Sequence, residues 1–465
     1  MTQNPALRGD LPGNITMNAN QEMMRRDLSV LWHPCSQMKD HEQLPLIPIK
    51  RGKGVWLYDF EGNRYLDAIS SWWVNLFGHG NDYINTAITR QLSELEHVIL
   101  AGFSHEPVIR LSERLLSLAP AGLSRCFYAD NGSSAVEVAL KMSYHYWLNC
   151  GHGQKTRFAT LSNSYHGETL GALAVGDVSL YKQTYRPLLM DVLTLPLPDL
   201  FNKPQHESDN DYVDRLYPQT EALLQQHAQQ LAAVIVEPLV QCAGNMRMYP
   251  AHFLKRLRQS CDALGIHLIA DEIAVGFGRT GTLFACEQAG ISPDFMCLSK
   301  GLTGGYLPLS VVLCGEDIYQ AFYDDYEKLT AFLHSHSYTG NALACAAANA
   351  SLDLFEKGQV LQRNQELSHY LQQALQGLSQ HPHIGDVRQR GMIAAVEMLQ
   401  NKAQRQAYPW QQRRGLQVYR HALQRGVLLR PLGNVIYFMP PYVISEEQID
   451  LMVQVATEGI ELATA

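Results

Sequence analysis

From Leu123 onward the chain alternates two patterns of apolar and polar residues. Short apolar runs (RCFYAD, RFATLSNSY, LAAVIVEPLV, HLIADEI, FMCLSK and LSVVLCG) are separated by stretches with helical spacing, among them SSAVEVALKMSYHYWL, GETLGALAV and AHFLKRLRQSCDALG. Runs this short and this apolar read as strands buried on both faces. Their alternation with helices predicts an α/β fold with a mostly parallel sheet. Near the start, VWLYDFEGNRYLDAIS alternates around Glu61-Gly62-Asn63, which predicts a hairpin. Past Asn341 the pattern turns to long amphipathic helices, LACAAANASLDLFEKG and QELSHYLQQALQGLSQ, and then to the short strands IAAVEML and VIYFMPPY. A second, smaller α+β unit is expected there. Residues 1–24 are polar and rich in Asn, Gln, Pro and Gly, which predicts a flexible tail, and residues 200–215 read as an exposed polar excursion.

Composition narrows the function classes. A chain of 465 residues is long enough for more than one domain, and 46% hydrophobic with 18% charged residues is ordinary for a soluble protein. No apolar run approaches the ~20 residues of a membrane span, and the N-terminus lacks the apolar core of a signal peptide. A cytoplasmic protein is expected. The net charge of −8 and the scattered Lys and Arg offer no nucleic-acid stripe. The nine cysteines form no C-x-x-C pair and read as reduced thiols.

The candidate chemistry sits where apolar runs end. Asp271 follows one run and Lys300 the next. Ligands of open α/β sheets sit beyond the carboxyl ends of the strands, so acid and amine are expected to share a pocket. An acid that keeps a pyridine nitrogen protonated and an amine that forms a Schiff base are what pyridoxal phosphate requires. Taken singly, each could be a helix cap or a solvated turn. Glu237 ends a third run. Asp130-Asn131-Gly132-Ser133-Ser134 lies between a strand and a helix, as a phosphate cradle does, and as an ordinary N-cap does too. Tyr165, in Tyr165-His166-Gly167-Glu168, could stack on a flat ring. In HSHSYTGN, His334 and His336 stand two apart with no clear third ligand, so no metal is expected and a polar phosphate-site loop fits better.

These residues stand in segments (LWHPCSQM, LDAISSWW, NGSSAVEVALKM, SYHGETLGA, VEPLVQCAGNMRMY, ADEIAVGFGRTG, LSKGLTGG, TGNALACAAANASL and RPLGNVIYFMPPY) that resemble the class III pyridoxal-phosphate aminotransferases of fold type I from about Leu28 onward. The resemblance implies a large domain over 76–355 with a mostly parallel sheet, and a smaller α+β domain built from both chain ends, 25–75 and 356–465. It implies a homodimer with shared active sites. Lys300, Asp271 and Tyr165 would be catalytic, with Lys300 carrying pyridoxal 5'-phosphate, Asp271 pairing with the pyridine nitrogen and Tyr165 stacking on the ring. Gly132 and Ser133 would hold the phosphate, with His336 and Ser337 reaching it from the neighbouring subunit. Trp72, Tyr165, Lys300, Ser335, Arg430 and Tyr437 would meet the substrate, Arg279 standing at the pocket edge. The branch resembled aminates 8-amino-7-oxononanoate on the way to biotin, with S-adenosyl-L-methionine as the expected donor and lysine as the alternative; other class III ω-amino acid and diamine aminotransferases remain the rival. Three positions depart from that branch. Cys35 stands where a tyrosine is expected, Glu168 replaces an aspartate, and Ser335-His336-Ser337 replaces HGPT-like residues. Ala274 separates the chain from relatives with a glutamine there.

Overall fold

The computed structural model describes residues 17–465. Its centre is a seven-stranded sheet of β1 (Leu123–Ala129), β2 (Arg157–Leu161), β3 (Val192–Leu195), β4 (Leu231–Val236), β5 (His267–Asp271), β6 (Phe295–Leu298) and β7 (Ser310–Gly315), in the spatial order β1-β7-β6-β5-β4-β2-β3. All neighbouring pairs are parallel except those of β7, which runs antiparallel to both β6 and β1. Every residue of β4, β5, β6 and β7 is buried. That explains their unbroken apolar runs, since helices cover both faces and leave no face for polar residues. One layer includes the helix Gly132–Asn149, whose Val136, Val138 and Leu140 lie in a core with Ile235, Ile269 and Phe295.

The expected hairpin is present: Trp56–Asp59 pairs antiparallel with Arg64–Asp67. Val427–Leu428 adds in parallel to Arg64–Asp67, so one small sheet joins the two ends of the chain. A third sheet is built from Ile384–Arg390, Ile393–Asn401, Gln406–Ala407 and Val435–Phe438. The helix Ala342–Gly358 runs through the expected domain boundary at 355.

Two expectations need correction. Of the expected tail, residues 1–16 lie outside the described residues, but Ala19–Val30 is a helix that takes in residues 19–24. Asn18 and Gln21 form a reciprocal capping box there, and polar composition does not reveal such a start unless the cap is sought. The excursion at 200–215 ends early, because Ser208 caps a helix over Asp209–His227 that buries Tyr212 and Val213. Among the described residues no helix is long and apolar enough to cross a membrane.

Candidate active site

The carboxyl ends of β1, β2, β4, β5 and β6 converge on a cavity of about 610 Å³. Asp271 lines it from the last position of β5, and Asp130–Ser133, Tyr165–Glu168, Glu237 and Ser299–Lys300 line it from the loops after the other four strands. Parallel strands point their carboxyl ends one way, so groups far apart in sequence meet without long excursions.

Asp271 is buried at the end of β5. Its Oδ2 lies 2.7 Å from His166 Nδ1, and its Oδ1 accepts the Ile273 N–H at 3.2 Å. Those contacts fix the carboxylate's orientation. Lys300, on the neighbouring strand end, adopts φ +39°, and its Nζ lies 5.2 Å from the centre of the Trp73 ring. Burial pushes its pKa below the ordinary lysine value, while Asp271 pulls the other way. Glu237 carries the opposite shift. Burial, followed by repulsion from Asp271, raises its carboxyl to about 8, although its two oxygens accept the N–H groups of Tyr165 and Cys242 at 3.0 Å each.

In the same cavity wall the helix Gly132–Asn149 starts with Asn131 as cap, its side chain accepting the Ser134 N–H. A Cβ on Gly132 would stand 3.0 Å from Ile273 Cγ2, so glycine lets the turn lie close to the loop after β5. Ser133 Oγ accepts the Thr169 N–H at 3.1 Å and lies 2.7 Å from Thr169 Oγ1. At the mouth, Tyr165 donates its hydroxyl to Glu168 Oε1 at 3.1 Å, and burial with the nearby Glu168 charge raises its pKa. Cys35 Sγ approaches the same carboxylate at 3.8 Å. The Arg430 guanidinium lies over the Trp72 ring at 4.7 Å and donates to the Cys35 carbonyl at 3.3 Å.

Lys300, Asp271, Tyr165, Gly132, Ser133 and Trp72 therefore line one cavity, with Arg430 beside Trp72. Other expected site residues do not. Ser335, His336 and Ser337 lie outside this cavity's wall; His336 Nδ1 comes within 3.7 Å of Asp130 Oδ2, and the Ser337 carbonyl is 2.7 Å from His97 Nε2. Arg279 is 1% exposed, and its guanidinium donates to the carbonyls of Pro440, Trp73 and Asn75. Its donors are turned to backbone behind the cavity, not to the pocket edge. Tyr437 is also 1% exposed; its hydroxyl accepts from Trp73 Nε1 at 3.1 Å, so it backs Trp73 instead of forming a wall. Sequence reasoning assigned no role to His166 or Trp73. Each stands beside a residue that was assigned one, Tyr165 and Trp72, and that adjacency was the available signal.

A cavity at parallel strand ends, with a half-buried lysine and a buried carboxylate on adjacent strand ends and a helix N-terminus in the same wall, defines an enzyme of the pyridoxal-phosphate transferase type, fold type I. The sequence profile described as Aminotransferase class-III matches residues 37–459, and the chain belongs to that family. It is similar to the adenosylmethionine-8-amino-7-oxononanoate aminotransferases of Helicobacter pylori, 53% identical over 93% of this chain and 96% of the relative, and Geobacter sulfurreducens, 43% identical with the same coverage. Among solved structures, the Methanocaldococcus jannaschii protein of the same name superposes with TM-score 0.90 at 34% identity, covering 96% of this chain and 99% of that one. An omega transaminase from Pseudomonas jessenii, in complex with PMP, matches with TM-score 0.90 at 27% identity, covering 95% and 98%.

Proposed function

We propose that this chain transfers an amino group to the ketone of 8-amino-7-oxononanoate, giving 7,8-diaminononanoate, with S-adenosyl-L-methionine as donor and pyridoxal 5'-phosphate as cofactor. The observation that carries the reading is the placement of Asp271 and Lys300 at adjacent strand ends in one cavity, with the N-terminus of Gly132–Asn149 in the same wall. The names of relatives that match nearly the whole chain supply the substrate and donor.

The residues present suit the cofactor. A helix N-terminus with a glycine at its first position offers N–H groups to a phosphate. Asp271 places a buried negative charge where a protonated ring nitrogen would need one. When bound, the pyridoxal group supplies an electron sink that acidifies the carbon–hydrogen bond beside the transferred amine. Lys300 would hold the group, and its Nζ would move the proton as acid and base. Its lowered pKa favours the neutral amine that can accept that proton. His166 keeps Asp271 in position, Tyr165 covers the ring face, and Ser133 with Gly132 holds the phosphate. Arg430 forks onto the acceptor's carboxylate, and Trp72 flanks the acceptor's carbon chain.

In this reading the large domain is 76–355 and the small domain 25–75 with 356–465. The working unit is a cytoplasmic homodimer in which Ser335, His336 and Ser337 serve the neighbouring subunit's cavity. The deciding experiment incubates the purified protein with pyridoxal phosphate, 8-amino-7-oxononanoate and, in separate arms, S-adenosylmethionine or lysine. Diamine in the first arm is the expected result. Diamine in the lysine arm alone would replace the donor, and none in either arm would overturn the reading.

A further inference from the structure

Ser70, Ser71, Trp72 and Trp73 have φ of +52°, +45°, +71° and +74°: four consecutive non-glycine residues in the left-handed region. Side chains resist that region because Cβ crowds the following carbonyl, so such a run persists only where its surroundings hold it. The surroundings here are two separate clamps. Asp67, fully buried, accepts the N–H groups of Ile69 and Ser71 on Oδ1, and the Ser71 hydroxyl on Oδ2 at 2.7 Å. His79 Nε2 lies 2.9 Å from the same Oδ2. Asn75 Nδ2 approaches His79 Nδ1 at 3.1 Å, which leaves Nε2 as the nitrogen that donates to Asp67. The second clamp is Arg279 on the Trp73 and Asn75 carbonyls, together with Tyr437 on Trp73 Nε1.

The clamps serve different rings. Trp73, under Lys300, is held by its own backbone carbonyl and by its indole nitrogen. Trp72, 40% exposed and beneath Arg430, makes no side-chain hydrogen bond among the described residues; its neighbour Ser71 is tied to Asp67. We propose that the Asp67–His79 pair is a positioning device for the acceptor end of the pocket: it locks the left-handed turn so that Trp72 presents its face to the Arg430 guanidinium and fixes where a substrate carboxylate is received. Asp67 and His79 do not line the cavity themselves. This inference rests on the aminotransferase reading only for the identity of the ligand that Arg430 receives.

The test compares His79→Ala, His79→Gln, Trp72→Ala and the double variant His79→Ala/Trp72→Ala as cofactor-loaded proteins. Acceptor dependence is measured at saturating donor, and near-UV circular dichroism reports the tryptophans independently of activity. Loosening the turn is expected to raise the acceptor KM of His79→Ala by tenfold or more while kcat stays within about threefold. His79→Gln, whose amide can still donate to Asp67, should recover most of that KM. In the Trp72→Ala background the His79 substitution should add less than twofold, because the ring it positions is gone. The near-UV spectrum of His79→Ala should change, and that change should be absent between Trp72→Ala and the double variant. If His79→Ala does not fold, Ser71→Ala, which removes one bond to the same carboxylate, takes its place. An unchanged acceptor KM, or an equal rise with and without Trp72, would overturn the positioning role. Absence of diamine formation by the wild type would instead overturn the proposed reaction, and the circular dichroism comparison would still decide whether His79 governs Trp72.

Discussion

Arg430 shows how one residue's surroundings set its task. A cation near a turn is ordinarily solvated, but this guanidinium lies over Trp72 at 4.7 Å and beside the mouth of the cavity. A ring face holds the planar group without using its hydrogen-bond donors, so those not given to the Cys35 carbonyl stay available for a carboxylate. On the proposed role, Arg430→Ala would remove a charge-assisted pair worth about 2–5 kcal/mol when desolvated, so acceptor affinity should fall tens-fold or more while cofactor binding is spared. Arg430→Lys should recover little, since a point charge cannot make two parallel hydrogen bonds. Initial rates against acceptor concentration in the three proteins check this; an unchanged KM in Arg430→Ala would return the residue to the surface. From the sequence Arg430 was legible as a candidate, whereas Arg279 and Tyr437 were misplaced at the pocket. The sequence shows that a guanidinium follows GFG, but not that three carbonyls from distant segments surround it.

At the scale of elements, the proposed phosphate end depends on two loops approaching closely. Gly167, after β2, has φ +127°, and a Cβ there would fall 2.4 Å from Ser133 Oγ and 2.7 Å from Ser133 Cβ. Neither the backbone angle nor the space admits a side chain. Gly167→Ala should therefore push Ser133 and its Thr169 partner off the start of Gly132–Asn149 and weaken cofactor retention about tenfold or more, with the sheet intact. Dialysis followed by the cofactor's absorbance measures it, and retention equal to wild type would remove Ser133 from the phosphate site. Strands and helices of the large domain were legible because burial on both faces writes unbroken apolar runs. The helix at Ala19–Val30 was not, because it buries no residue and so leaves no apolar stripe.

For the whole molecule, buried charge links stability to pH. The Glu237 carboxyl, raised from an ordinary value near 4.5 to about 8, binds its proton more tightly folded than unfolded. Its contribution to stability is therefore fully present below pH about 4.5 and is lost as pH rises through about 8, at up to about 1.4 kcal/mol per pH unit within that window. In the cofactor-free protein, Glu237→Gln should cost stability at pH 5, because an amide nitrogen would face a backbone N–H, and that cost should shrink as pH rises because the variant lacks this slope. Thermal melts of both proteins from pH 5 to 8 test it; parallel curves would show that Glu237 keeps its charge. The proposed sharing of sites makes a second whole-molecule prediction. Mixed dimers of Lys300→Ala and Ser337→Ala subunits contain one cavity with neither lesion, so activity should rise above that of either variant alone. With subunit exchange verified and Ser337→Ala itself impaired, no recovery would confine each site to one chain.

What the sequence by itself determined is the alternation that builds the sheet, the residues that end its strands, and hence the lysine, carboxylate and glycine turn of the site. Those features are local: burial and backbone freedom act on each segment wherever it sits. Only the tertiary structure decided which residues face the cavity and which stand behind it. The left-handed turn at 70–73 is the clearest case, since no local preference favours four such residues in a row. Asp67 reaches it from two and four residues away, but Arg279 holds it from more than two hundred residues off and His79 fixes the Asp67 carboxylate, contacts set by the fold.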